Sequence, residues 1–155
     1  MQATGAGLVS QLAPLYSALV RSGGEHEEWR ALTATQRLVV FELVEAGPLR
    51  LGALAERVGA TDPTTSRAVD GLVSAGLVER RADPGDRRAV LHEVTPRGKA
   101  RAEQRRKEVA AVLERALAGF LPDEAARLLE LLRKLNEELA AAGPLPRATG
   151  LLATR

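Results

Sequence analysis

The chain has no cysteine, which excludes disulfides, thiolate metal sites and thiol-based redox sensing. Aromatic residues make up only 3% of its 155 residues, so the core must be assembled from Leu, Val and Ala. Histidine occurs only at His26 and His92, without the HxxxH type of spacing that zinc ligation uses. No run approaches the ~20 apolar residues of a membrane-spanning helix. The N-terminus lacks the basic-then-apolar order of an export signal, so the expected location is the cytoplasm and no membrane partner is expected. GxSxG, phosphate-loop, GxGxxG and HExxH patterns are absent too. Glu25, Glu27 and Glu28 lack a paired acid or base and read as a solvated acidic loop. The expectation is a protein that is not an enzyme and carries no cofactor or metal.

Hydrophobic residues form 45% of the chain and charged residues 27%, the profile of a folded chain rather than a disordered one. One domain of this length can bury roughly 70% of its unfolded surface. A net charge of +2 is too small to name a partner, so its distribution matters more. Between positions 97 and 107 stand six basic residues and one acid, Glu103. Such a run suits a polyanion, and it equally suits a solvated helix face.

Helical spacing of Leu8, Leu12, Leu15, Tyr16 and Leu19 predicts a first amphipathic helix that ends at Gly23-Gly24. Thr33-Ala34-Thr35-Gln36 is a capping box that opens a second helix, stopped by Gly47-Pro48. A short third helix spans about 51–58. A fourth follows Asp62-Pro63, a cap and a first-turn proline, and ends at Gly76. Residues 78–82 and 89–94 read as two strands joined by ADPGDRR. Thr95-Pro96 launches a long helix to about Phe120, and 125–142 form the last one. There Leu128, Leu132, Leu135 and Leu139 make a short coiled-coil-like seam. The remainder, 143–155, has no periodicity and reads as a flexible tail.

Residues 51–88 therefore read as helix-turn-helix followed by a basic β-wing, an order that fits DNA. In the fourth helix Val69, Leu72 and Val73 define a buried face, and Thr64, Thr65, Arg67 and Ala68 are expected on the opposite one. Short polar groups let a backbone approach the major groove, and Arg can bond guanine twice, worth about 1–3 kcal/mol of discrimination. The alternative for Arg67 is a surface ion pair with Asp70. At the hairpin tip, Arg87 and Arg88 beside Asp83 and Asp86 suit a probe for the narrow, negative minor groove. The alternative is a charged turn that keeps the surface soluble.

The run DPTTSRAVDGLVSAGLVERRADPGDRRAVLHEVTPRGK resembles the signature of the MarR family of winged helix-turn-helix regulators, and LTATQRLVVFELVEAGPLRLGALAERVG is similar to the helices that precede it. The resemblance spans about 32–99; the flanking helices agree in number and order. It implies a mainly α fold with a small β-wing, in a single MarR-like domain over 1–155. Within it, 32–95 would be the DNA-binding core, and 8–22 and 96–142 the dimerisation helices. It further implies a homodimer on a palindromic double-stranded operator, usually as a repressor, released by a small ligand. By position, Thr64, Thr65, Ser66 and Arg67 would lie in the major groove, and Arg88 or Arg87 in the minor groove with Asp86 holding it.

Apolar stripes outside the winged core independently favour a C2 dimer; packing on their own chain is the alternative. In the resembling family, ligands often occupy the cleft between dimer base and winged domain. Tyr16, His26, Trp29 and Arg30 are the candidates to line it, while Tyr16 and Trp29 also read as core or interface aromatics. The rival functions are an activator, an architectural DNA binder and a module for protein–protein contacts.

Overall fold

The computed structural model describes residues 5–21 and 27–143. In chain order it comprises α1 (Gly5–Arg21), α2 (Glu27–Ala31), α3 (Ala34–Ala46), β1 (Leu49–Arg50), α4 (Leu51–Val58), α5 (Asp62–Ser74), β2 (Val78–Asp83), β3 (Asp86–Val94), α6 (Pro96–Leu117) and α7 (Pro122–Ala142). The fold is mainly helical with one small antiparallel sheet, as the sequence predicts. Among the described residues no helix is long and apolar enough to cross a membrane. Contacts divide the chain into two units, 1–113 and 114–155.

The first unit is built around α3, α4 and α5. The capping box that opens α3 is present: Thr33 Oγ1 accepts from the Gln36 N–H at 3.2 Å, and Gln36 Oε1 accepts from the Thr33 N–H at 2.8 Å. From α3, Val39, Val40 and Leu43 are fully buried against Leu54 of α4 and Val69 and Leu72 of α5. Each such side chain contributes about 1.5–3 kcal/mol by leaving water. At the end of α5 the Leu77 N–H reaches the Leu72 carbonyl and the Gly76 N–H reaches that of Val73, with Gly76 at φ 69°. That left-handed residue turns the chain sharply and drops Leu77 into the core.

The start of α5 differs from expectation. Thr61, not Asp62, occupies the cap position, and Asp62 is already helical. Pro63 tolerates this shift because every N–H of the first turn lacks a helical partner. The Thr61 side chain makes no cap bond; its hydroxyl lies 3.0 Å from that of Thr64.

Two features of the helix face also correct the sequence reading. Thr65 and Ala68, expected on the exposed face, are buried. At 100° per residue Thr65 falls in line with Val69 and Leu72, so the periodicity that buries those two buries it as well. Its hydroxyl has no hydrogen-bond partner among the described residues.

The sheet runs β1-β3-β2. β2 and β3 form the hairpin, in the register Val78↔Val94, Arg80↔His92 and Ala82↔Val90, with an irregularity at Ala82/Asp83 before Asp83↔Asp86. The turn is only Pro84-Gly85, so Arg87 and Arg88 belong to β3 rather than to a long loop. Proline sets the first central turn position, and Asp83 Oδ1 accepts from the Gly85 N–H at 2.8 Å, which leaves no need for a longer connection. The third strand, β1, pairs Leu49 with His92 and Arg50 with Leu91.

Thr95 opens α6: its hydroxyl donates to the Gly76 carbonyl at 2.8 Å and accepts from the Gly98 N–H at 3.0 Å. Gly98 is required there, because a Cβ would collide with the Leu77 carbonyl and lie 2.6 Å from Val94 Cγ2. This helix ends at Leu117, short of Phe120.

In the second unit α7 begins at Pro122, earlier than expected. Proline fits a first-turn position, Glu124 Oε2 accepts from the Leu121 N–H at 2.9 Å, and Asp123 and Glu124 complement the helix dipole. No residue of α7 is buried, and none of α1 is. Both present large apolar side chains to solvent, Leu8, Leu12 and Leu15 on α1, and Leu128, Leu132 and Leu139 on α7. The expected tail from 144 onward lies outside the described residues.

Replacing Thr65 by Val exchanges an unpartnered buried hydroxyl for a methyl of similar shape. Thr65→Val should hold or raise stability, by about 1 kcal/mol, and leave DNA affinity unchanged. Thermal melts and a binding titration check both; weaker DNA binding at unchanged stability would return Thr65 to the exposed face.

Candidate nucleic-acid interface

With one face of α5 locked into the core, the other is presented to solvent. Thr64 and Arg67 are exposed and Ser66 is half-buried. Asp70, the candidate partner of Arg67 in the alternative reading, is taken by Arg80 from β2. Arg67 is left with no hydrogen bond or ion pair among the described residues. The Arg80–Asp70 pair also ties α5 to the root of the hairpin.

The hairpin tip is braced by a residue the sequence reading missed. Arg50 donates through Nε and Nη2 to Asp83 Oδ2, at 2.8 and 2.5 Å. The same guanidinium lies 3.7 Å from Asp86 Oδ2. Its hydrogen bonds, helped by the Gly85 N–H, hold the Asp83 carboxyl below the usual carboxylate range, so it is charged at neutral pH. Asp86 was expected to hold the Arg88 guanidinium; it accepts from the Arg88 backbone N–H instead, at 3.1 Å. A carboxylate two residues upstream closes a local turn more readily than it reaches a long side chain that points away. The exposed Arg88 side chain has no partner among the described residues. Arg87 lies in β3, and its side chain falls outside the described ones.

Behind the tip, His92 is buried with Nδ1 3.3 Å from the Leu49 carbonyl. Burial pushes its pKa below the ordinary imidazole value, which favours the neutral ring. It shares a recess of about 370 Å³ with Arg50, Ser66 and Arg80, between the sheet and α5. Among the described residues no three acidic or histidine side chains converge to hold a metal ion.

The basic run of α6 serves a different end from the polyanion face its sequence allowed. Arg97 and Arg101 both bind Glu28 of α2, the latter at 2.8 Å. Arg106 lies 3.6 Å from Glu45 of α3, and Lys107 4.0 Å from Glu103. Arg105 is buried, donates to the Leu19 carbonyl of α1, and stands 3.5 Å from Glu108. These side chains clasp α6 to its neighbours, and their charge is largely spent within the chain.

A cavity of about 610 Å³ lies between α1, α3 and α6. Of the residues expected to line a ligand site, Tyr16 and Trp29 do so. Trp29 is at the same time a core residue, packed edge-on against Phe41 with centroids 5.5 Å apart. Arg30 does not line the cavity; its carbonyl accepts from Arg37 Nη2 at 3.1 Å. His26 lies outside the described residues. The sequence reading missed Arg37 and Lys99, both on the cavity wall. The Nε of Arg37 is buried and has no acceptor among the described residues.

This geometry has close counterparts. The family model described as MarR family matches residues 32–90. The multiple antibiotic resistance protein MarR of Salmonella typhimurium is 33% identical over 105 residues, covering 67% of this chain and 73% of that protein. Among solved structures, a MarR family protein from Bacillus stearothermophilus superposes with a TM-score of 0.73 at 26% identity, covering 86% of this chain and 93% of its own. Bordetella bronchiseptica BpsR, whose DNA binding is regulated by 6-hydroxynicotinic acid, superposes at 0.61 with 26% identity, covering 83% and 98%. The chain belongs to the MarR family: it is a DNA-binding, winged-helix transcriptional regulator and not an enzyme.

Proposed function

We propose that the protein acts as a homodimeric repressor that binds a palindromic operator and is released by a small organic acid. The observation that carries the DNA reading is the pair of unpartnered cations, Arg67 on α5 and Arg88 on the wing. Around them the winged core spends other guanidinium groups inside the chain, Arg50 on Asp83, Arg57 on Glu42, Arg80 on Asp70 and Arg81 on Glu93. A guanidinium kept free on an exposed recognition helix is available for a guanine edge, and one on a hairpin tip for the minor groove. Thr64 and Ser66 flank Arg67 and supply hydroxyls for phosphates or bases.

The dimer is supported by α1 and α7, which leave their apolar stripes exposed in the single chain. A twofold pairing would cover such stripes and set two α5 helices about one DNA turn apart, roughly 34–36 Å. Residues 8–22 and 96–142 then serve dimerisation, and 32–95 DNA binding. A dimer seated on a promoter excludes the transcription machinery by occupancy alone, which favours repression. It works where the DNA is, in the cytoplasm.

Ligand release is supported by the largely apolar cavity, whose wall carries Arg37, Lys99, Arg105 and Arg106 against Glu45 and Glu103. Arg37 Nε lacks an acceptor there, and Lys99 adds a second positive charge. An aromatic acid would satisfy both features, and the DNA binding of BpsR is regulated by one, 6-hydroxynicotinic acid.

Three variants test this reading on duplexes recovered from a random pool. Arg67→Ala should lose about 10- to 100-fold in affinity for its best site and relax preference at one base pair per half-site. Arg88→Ala should weaken binding evenly across sequences and reduce the salt slope by about one unit. Wild-type affinity and slope in either variant would remove that residue from the interface. In sedimentation, Leu132→Asp should shift a dimer to a folded monomer and abolish tight operator binding. A wild-type chain that sediments as a monomer at micromolar concentration contradicts the dimer.

A further inference from the structure

We infer that Arg50 is the positioning residue for the wing: it locks the hairpin tip from a neighbouring strand and so aims Arg88. The inference rests on the reading of Arg88 as a DNA contact and adds the residue that makes that contact possible.

The tip has an electrostatic problem. Asp83 and Asp86 face each other in register at the end of the hairpin, and like charges directly opposite destabilise a strand pair. The ladder is also irregular at Ala82/Asp83, so backbone pairing is weakest where the wing must be most definite. Arg50 answers both difficulties from β1, on the far side of β3 from β2. Its guanidinium binds Asp83 Oδ2 twice and lies 3.7 Å from Asp86 Oδ2. One cation thus sits against both opposed carboxylates and offsets their mutual repulsion.

Each carboxylate then uses its other oxygen to hold backbone. Asp83 Oδ1 accepts from the Gly85 N–H at 2.8 Å, and Asp86 Oδ1 from the Arg88 N–H at 3.1 Å. A continuous chain of polar contacts therefore runs from β1 to the Cα that carries the free guanidinium. The side chain of Arg50 is 52% exposed, so the pair contributes little to global stability. What it controls is local: the orientation of a tip that has no core of its own.

The alternative is that Arg50 itself touches DNA. A double-mutant cycle separates the two roles. The full-length protein is titrated with an A·T-rich, mixed-sequence 30-bp duplex at low salt, where the wing contact does not depend on knowing the operator. Arg50→Ala should bind about 3- to 10-fold more weakly, with a melting temperature close to wild type. Asp83→Asn should reproduce the loss, and Arg50→Lys should recover part of it. Introduced into Arg88→Ala, Arg50→Ala should cost nothing further.

Losses that add in the double variant overturn the inference, because Arg50 would then act on DNA without Arg88. Unchanged affinity in Arg50→Ala overturns it too. If Arg50→Ala melts well below wild type, the same cycle with Asp83→Asn decides, since that substitution keeps the shape, leaves one oxygen for the Gly85 N–H and removes the charge and the acceptor that Arg50 uses. Should Arg88→Ala by itself bind as wild type, the wing reading fails first, which distinguishes that failure from failure of the brace.

Discussion

The packing of one face of α5 against α3 and α4 is the constraint from which the rest of the molecule follows. Val69 and Leu72, fully buried against Val39, Val40, Leu43 and Leu54, allow the helix only one rotation about its axis. That rotation puts Thr64 and Arg67 in solvent and draws Thr65 inside. The left-handed turn at Gly76 sends the chain straight into β2, and Thr95 returns it from β3 against the Gly76 carbonyl. Hairpin and α5 therefore spring from the same few residues. Arg80 on Asp70 closes the connection between them.

A second principle governs charge. The chain is rich in arginine yet has a net charge of only +2, because 20 acidic residues nearly balance 22 basic ones, and many of the described guanidinium groups face a carboxylate. Arg57 holds Glu42, Arg81 holds Glu93, Arg97 and Arg101 share Glu28, and Arg50 spans Asp83 and Asp86. Exposed pairs of this kind add little stability individually. Their effect is geometric, fixing which helix lies against which and how the hairpin tip is held. On α5 and the hairpin, Arg67 and Arg88 contrast with Arg80 and Arg81: among the described residues no carboxylate answers them.

Local signals in the sequence were legible, and nonlocal ones were not. The Thr33–Gln36 box, the Thr95-Pro96 start and the Gly76 stop each rest on bonds within a few residues, and each is found where the pattern placed it. The two-residue strand β1 is too short to show alternation, and it exists only because β3 offers it an edge. Thr65 was misread because short polar residues suit an exposed face, although helical spacing aligned it with Val69. Arg50 gave no signal at all: its partners are 33 and 36 positions away, and only the antiparallel register brings them together. The α6 run shows the converse, since a cluster of basic residues announces charge but not the carboxylates, from other helices, that absorb it.

The proposed dimer joins the apolar stripes of α1 and α7 to the exposed cations of the winged core. A single recognition helix reads only a few base pairs, whereas two related by a twofold axis read a palindrome. Selection of binding sites from random duplex DNA, with the purified protein near physiological salt, tests this most directly. A palindromic motif with half-sites about one helical turn apart is the predicted result. Binding that enriches no motif and vanishes as salt rises would contradict it.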